Sequence, residues 1–302
     1  MNCAGKPTVF RSFPSTEKMI EEFERFCSVD LQLAAWSVKT YRWIVMRLVR
    51  WLSKPAWEAT VEDIRGFLEQ AKEKYAPKHY ANILISLRRF YRDFLRQPDL
   101  MASFVFPHIP FKPVQVPRGE QIHQFFAALN NDRQRAMFLM FASSGLRCSE
   151  LLGLRKVDID FDMCKIVPQP HATGRTKNSP HFTFYNEEAS EYLAKYLSKR
   201  HDDDPRLFKI GSSAFRRSWK HAMKRSSVKV YPQGLRQWFC QALTEKGVSD
   251  RYIDFFCGRS PKSVLARHYT DYSPERLKQI YEKANTKVLN ATPDLDEDIK
   301  EG

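Results

Sequence analysis

Apolar residues recur at helical spacing through most of the chain, and the interruptions mark its boundaries. From Ser15 to about Phe104 four stretches, 16–29, 37–53, 60–75 and 77–97, keep one face apolar. In the fourth, Tyr80, Ile83, Leu84, Leu87, Tyr91 and Phe94 share that face, and these aromatics read as core. Thr60 with Asp63 predicts a capping box, and Pro77 suits a first helical turn. Between Phe104 and Arg118 the period disappears and four prolines enter, which predicts an extended linker over 105–117. Helices are expected again at 119–130 and 132–144. The second is apolar nearly all round from Ala136 to Phe141, so it should be buried, and Gly145 ends it. Another helix is expected from about Arg147 to Leu154.

Residues 157–186 change to the two-residue alternation of strands, over Val157 to Asp162, Met163 to Val167 and His181 to Tyr185. The open hairpin loop between the last two, 171–180, carries Arg175 and Lys177 and no acid. Helices follow at 187–200 and 212–225. A helix beginning near Gln233 places Leu235, Trp238, Phe239, Ala242 and Leu243 on one face. Then come a short helix after Ser249, a Cys257-Gly-Arg-Ser turn, and a helix ending in Arg267-His-Tyr269. The last helix, 274–285, has Leu277, Ile280, Tyr281 and Ala284 at helical spacing, suited to an internal core or to a partner's groove. The fold class is therefore mainly α with a small antiparallel β-sheet (α+β). The domains expected are a loose tail at 1–15, a helical domain at 16–104, a second domain at 118–287, and an acidic, disordered tail at 288–302.

Charge sharpens this picture. Lys plus Arg number 49 against 35 Asp plus Glu, a net charge of +14 that favours a polyanion, nucleic acid before membrane. The surplus is sorted. Lys39, Arg42, Arg47 and Arg50 lie on a segment without acids, and Arg88, Arg89 and Arg92 lie on one with Asp93 alone. From Pro205 to Pro232 there are eight Lys or Arg, among them Arg216, Arg217 and Lys220, and no Asp or Glu. Such faces suit a grip on a DNA backbone, with a merely solvated basic face as the alternative. No apolar run is long enough for a membrane span and no signal peptide is evident. The six cysteines form no CxxC pair, so reduced thiols in the cytoplasm are expected rather than a zinc module or disulfide scaffold.

Three separated segments carry the candidate chemistry. Ser144-Gly-Leu-Arg147-Cys-Ser-Glu150-Leu delivers an arginine from a glycine turn; Gln233-Gly-Leu-Arg236 opens a helix; Gly258-Arg259-Ser leads to His268-Tyr269. In this order, with the basic hairpin between the first two, they resemble the catalytic boxes of the tyrosine recombinases (the phage-integrase family). The third box is spelled as in the integrases of archaeal viruses and plasmids. The resemblance covers about 16–287. It implies an N-terminal SAM-like helical core-binding domain that clamps double-stranded DNA, a catalytic domain behind it, and a homo-tetramer on paired attachment sites.

The resemblance also assigns roles. Tyr269 would attack the scissile phosphate, giving a covalent 3′-phosphotyrosine and a free 5′-hydroxyl. That link conserves the bond energy, so rejoining needs no cofactor, neither ATP nor a metal. Arg147 and Arg236 would hold the non-bridging oxygens, where negative charge grows. Lys177 would protonate the leaving oxygen as general acid, with Arg175 the alternative. Glu150 would brace the site. Two positions depart from the family: Gln233 and Arg259 stand where histidines are usual. Glutamine cannot accept a proton at neutral pH, so a third arginine is expected to replace the base in part by favouring phenolate. His268 is a supporting residue, though neighbours on a helix point about 100° apart. Tyr272 is a rival nucleophile. Two other functions stay open: a non-catalytic DNA-binding descendant of a recombinase, and a metal-dependent nuclease using Asp158, Asp160 and Asp162.

Overall fold

The computed structural model describes residues 12–169, 181–260, 263–284 and 286–289. These divide into two compact units, one ending at Pro113 and the other beginning at Val114.

The first unit is all helical. Helix α1 (Thr16–Arg25) starts where the Ser15 side chain accepts the Lys18 N–H at 3.2 Å, and it runs on into a π-helical stretch at Phe26–Asp30. Helices α2 (Ala35–Trp51) and α3 (Val61–Lys74) follow, the latter opened by the expected box: Asp63 accepts the Thr60 N–H at 2.7 Å, and Thr60 accepts the Asp63 N–H at 3.3 Å. Helix α4 (Pro77–Arg88) passes into a second π-helical stretch, Arg89–Phe94. A short α5 (Asp99–Ala102) closes the unit. The π turns widen the apolar stripe, so that Phe90, Tyr91, Phe94 and Leu95 are all buried, with Phe23 edge-on to Phe90 at 5.2 Å. Each such side chain contributes about 1.5–3 kcal/mol by leaving water. The Tyr91 hydroxyl stays satisfied by donating to the Ala56 carbonyl at 3.0 Å.

The second unit is built around a helix apolar on every side. Helix α6 (Gly119–Ala127) precedes α7 (Asp132–Ser144), whose residues from Ala136 to Ser144 are all buried. Gly145 ends it at φ 66°, and a Cβ there would come within 2.5 Å of the Phe239 ring, so only glycine serves. Helix α8 (Cys148–Gly153) leads to a three-stranded antiparallel sheet, in the order β1 (Ile159–Asp160), β2 (Lys165–Ile166), β3 (Thr183–Phe184). The first strand is shorter than the alternation predicts, and aspartate side chains hold the turns on either side of it. Asp158 accepts the Arg155 N–H at 2.7 Å inside a 3-10 turn, and Asp160 accepts the Met163 N–H at 3.0 Å. Among the described residues no group of three or more His, Cys, Asp or Glu side chains is placed to hold a metal ion.

Helices α9 (Glu187–Ser198), α10 (Ser212–Ser226), α11 (Pro232–Glu245), α12 (Asp250–Phe256), α13 (Val264–His268) and α14 (Pro274–Ala284) complete the unit. Leu277 and Tyr281 of α14 pack with Phe184, Phe239 and Phe256, and the buried Tyr281 hydroxyl donates to the Ser143 carbonyl at 2.7 Å. Of the two uses the spacing allowed, α14 takes the internal one. Beyond it, Glu188 accepts the backbone N–H groups of Val288 and Leu289 at 2.6 and 3.0 Å, and Val288 is buried. Val288 and Leu289, assigned to the tail from sequence, therefore belong to the fold. Among the described residues no helix is long and apolar enough to cross a membrane.

Candidate active site

The turn at Gly145 sets Arg147 immediately before α8. Glu150, buried, folds back on it: the carboxylate accepts the Arg147 backbone N–H at 2.7 Å and its Nη1 at 2.8 Å. The same Glu150 stands 3.9 Å from Arg236. One carboxylate thus faces two guanidinium groups.

Arg236, in the first turns of α11, is buried to 3% exposure. It is held by backbone, donating to the carbonyl of Gly145 and to that of Cys257, each at 2.5 Å. Arg147 Nη1 also reaches the Cys257 carbonyl, at 3.3 Å. Burial pushes the Arg236 pKa below the ordinary arginine range, and Arg147 and Arg259 push it further, against Glu150. An arginine starts so far above neutrality that its cation survives this. Arg147 and Arg236 share the one carboxylate of Glu150, while Arg259 has that of Asp254, so the first two carry more positive charge than their single acid neutralises.

The turn that supplies the shared carbonyl is tightly built. Gly258 has φ 58°, and a Cβ there would lie 2.4 Å from the ring of His181, which is itself buried. Arg259 follows, its Nη1 donating to Asp254 at 2.7 Å and its Nη2 to the Cys240 sulfur at 3.4 Å. Burial works against the Arg259 charge, but the Asp254 hydrogen bond and the nearby sulfurs outweigh it and raise the pKa. Gln233 is exposed at the start of α11, one residue before Gly234, where a Cβ would press on Pro117 at 3.2 Å.

Tyr269 caps the C-terminus of α13 with its side chain 76% exposed. Tyr272 differs: its hydroxyl donates to the Ala266 carbonyl at 2.7 Å and its ring stacks on Phe255 at 4.7 Å. Of the two phenols, Tyr269 is the one turned to solvent. His268 is exposed in the same last turn. Arg175 and Lys177 lie outside the described residues.

The basic residues assigned to DNA divide into two groups. Lys39, Arg50, Arg216, Arg217 and Lys220 are exposed. The others are engaged within their own unit. Arg42 pairs with Glu24 at 3.1 Å, and Arg89 and Arg92 both pair with Asp93 at 2.7 Å. Arg88 donates to the Phe104 carbonyl at 2.5 Å and lies over the Phe106 ring, while Arg47 lies between the Trp43 and Tyr75 rings at 4.8 and 5.0 Å. Sequence reasoning also missed the Cys257 carbonyl, which no residue type announces, and Thr183, whose hydroxyl donates to the Ser144 carbonyl at 2.9 Å beside the glycine turn.

Comparison with known proteins gives a consistent picture. The profile of the Phage integrase family matches residues 116–276, just over half of the chain, and that of the phage integrase N-terminal SAM-like domain matches 20–97. Tyrosine recombinase XerA of Pyrococcus furiosus is 24% identical over 279 residues, 89% of this chain and 94% of that protein. Tyrosine recombinase XerD of Proteus mirabilis is 26% identical over 295 residues, 88% of this chain and 92% of that protein. Among solved structures, a lambda integrase tetramer bound to a Holliday junction superposes with a TM-score of 0.65 at 13% identity, over 84% of this chain and 77% of that one. The Tn1549 transposon integrase in complex with circular intermediate DNA gives 0.58 at 15% identity, over 86% of this chain and 97% of that one.

Proposed function

The chain belongs to the phage integrase family, and from that premise we propose that it is a site-specific tyrosine recombinase acting on double-stranded DNA through Tyr269. The Tyr269 oxygen attacks phosphorus as the 5′-oxygen leaves, and a second strand's 5′-hydroxyl later reverses the exchange. Arg147 and Arg236 bind the non-bridging oxygens, with Glu150 and the Cys257 carbonyl holding both guanidinium planes so that little reorganisation accompanies the developing charge. Lys177 delivers the proton to the leaving oxygen, Arg175 being the alternative. Gln233 hydrogen-bonds the phosphate, and Arg259 adds positive charge from the third box. The observation that carries this reading is the pair of arginines converging on one carbonyl over a buried carboxylate.

The exposed residues Lys39, Arg50, Arg216, Arg217 and Lys220 are the phosphate-contacting set we favour, and the structures of lambda integrase on a Holliday junction and Tn1549 integrase on circular intermediate DNA support DNA binding. The lambda tetramer supports a homo-tetramer on paired sites. The role is integration or excision of a mobile element; the third-box spelling and the archaeal relative support an archaeal virus or plasmid as its setting. A cytoplasmic location accords with a DNA substrate and the free thiols.

The test is incubation with supercoiled plasmid and a pool of genomic fragments, without added metal. A denaturation-resistant protein–DNA adduct mapping to Tyr269 is expected. Binding without adduct or relaxation would instead identify a non-catalytic descendant, and cleavage only on addition of a divalent metal would identify a nuclease.

A further inference from the structure

Cys240 and Cys257 are far apart in sequence, yet their sulfurs stand 3.5 Å from each other. Cys240 lies one turn beyond Arg236 on α11 and is partly exposed; Cys257 is buried and supplies the carbonyl on which Arg147 and Arg236 converge. Arg259 Nη2 lies 3.4 Å from the Cys240 sulfur. The pair therefore lies beside the 2.5 Å bond from Arg236 to the Cys257 carbonyl, where the helix of the second box meets the turn of the third.

We propose that Cys240 is an oxidative modification site for hydroperoxides, and that Cys257 resolves it into a Cys240–Cys257 disulfide that switches the arginine pair off. The Cys240 thiolate attacks the peroxide; an S–O bond forms, the O–O bond breaks, and hydrogen peroxide leaves one oxygen as water. The Cys257 sulfur then attacks the sulfenic acid; the S–S bond forms, the S–O bond breaks, and a second water departs with the Cys257 proton. Two thiols and one peroxide give one disulfide and two waters.

The environments suit these unequal roles. The Cys257 hydrogen bond, followed by Arg259 and Arg236, lowers the Cys240 pKa against burial, whereas the same hydrogen bond and burial raise that of Cys257. Cys27 and Cys148 offer no such activation: burial pushes Cys27 up to about 12 and also raises Cys148. Bond formation shortens the 3.5 Å separation to about 2.05 Å. The movement draws on the residue whose carbonyl orients both guanidinium groups. A misplacement of about 1 Å at such a site costs on the order of a hundredfold in rate.

This inference rests on the assignment of Arg147 and Arg236 to the phosphate, so two readouts are kept separate. Full-length protein is treated with hydrogen peroxide, the remaining thiols are alkylated, and peptides are mapped without reduction. A peptide linked through Cys240 and Cys257 is expected, with adduct formation reduced by about tenfold or more and restored by dithiothreitol. Cys240→Ser should lose the cross-link and keep, in peroxide, the rate it has in dithiothreitol; should that variant not fold, dithiothreitol reversal in the wild type still decides. Two alkylatable thiols after peroxide, or a disulfide with an unchanged adduct rate, would overturn the proposal. Absence of adduct from the reduced protein on any DNA would instead sink the phosphate assignment, and the linked peptide is scored in either case.

Discussion

Arg147 and Arg236 donate to one acceptor, the carbonyl oxygen of Cys257, at 3.3 and 2.5 Å. Two cations sharing a backbone oxygen and a buried carboxylate are positioned as a unit. Arg147→Ala or Arg236→Ala should each slow adduct formation by about a hundredfold or more, in line with the loss of an oxyanion donor. Removing both should cost less than the product of the single losses, because either change disturbs the other guanidinium. Single-turnover cleavage of a nicked substrate measures the cycle, and strict multiplicativity would contradict the shared-acceptor account.

Tyr269→Phe removes an exposed hydroxyl, so folding and DNA binding should be unchanged while the covalent adduct disappears. Tyr272→Phe should retain the adduct and lose about 1 kcal/mol of stability with its bond to the Ala266 carbonyl. A denaturing gel after incubation with DNA distinguishes them; an adduct that persists in Tyr269→Phe and vanishes in Tyr272→Phe would reverse the assignment.

Glu150→Ala leaves Arg236, with only 4% of its side chain exposed, without its carboxylate. Urea unfolding should show a loss of about 3–5 kcal/mol, the range for a buried pair that loses one partner. Glu150→Gln should preserve more of the fold, since the amide oxygen still accepts the Arg147 N–H, yet cleavage should fall for both. Wild-type stability in Glu150→Ala would remove the bracing role.

Because α14 lies in the core of its own unit, Leu277→Ala should destabilise it by about 2–5 kcal/mol. Deletion from Pro274 onward should unfold the second unit rather than spare the monomer and impair assembly alone. Circular dichroism and thermal melting of the truncated chain test this directly.

The pKa of Asp63 is lowered to about 2, first by the Lys54 hydrogen bond and then by the Thr60 backbone and hydroxyl. A depressed carboxylate stabilises the fold above its unfolded pKa of about 3.9, and that stability is lost as pH falls from there through the folded value. Asp63→Asn should therefore flatten the acid limb of unfolding between about pH 4 and 2 while lowering stability near neutrality. Solvent screening keeps the effect on the order of 1 kcal/mol or less. An unchanged acid limb would mean that the box contributes nothing.

The helices were legible because burial of one face imposes a period, and α7 was legible because it buries every face. Capping chemistry placed α3, and glycine chemistry placed the end of α7. The strands were overread: Val157-Asp-Ile-Asp-Phe-Asp alternates, but only Ile159 and Asp160 of it form a strand, and the side chains of Asp158 and Asp160 accept N–H groups of the turns on either side. The boxes delivered Arg147, Arg236 and Glu150 to one place, since each is tied to a local turn. What holds them together was illegible, because a carbonyl such as that of Cys257 belongs to every residue type. Charge counting likewise could not see that Arg89 and Arg92 share Asp93, or that aromatic rings flank Arg47.

Burial along the last third of the second unit is stepped. On one side Cys257 and on the other Leu277 are fully buried, while α13 buries only Ala266, still 8% exposed, with Val264 69% and Leu265 57% exposed. The segment bearing Tyr269 therefore stands at the low end of the unit's free-energy scale for opening, between two anchors at the high end. Its amides should exchange with deuterium far sooner than those of α11 and α14. Lifting Tyr269 away sacrifices almost no apolar contact, so the proposed nucleophile should be free to be withdrawn and returned many times at little cost to the surrounding domain.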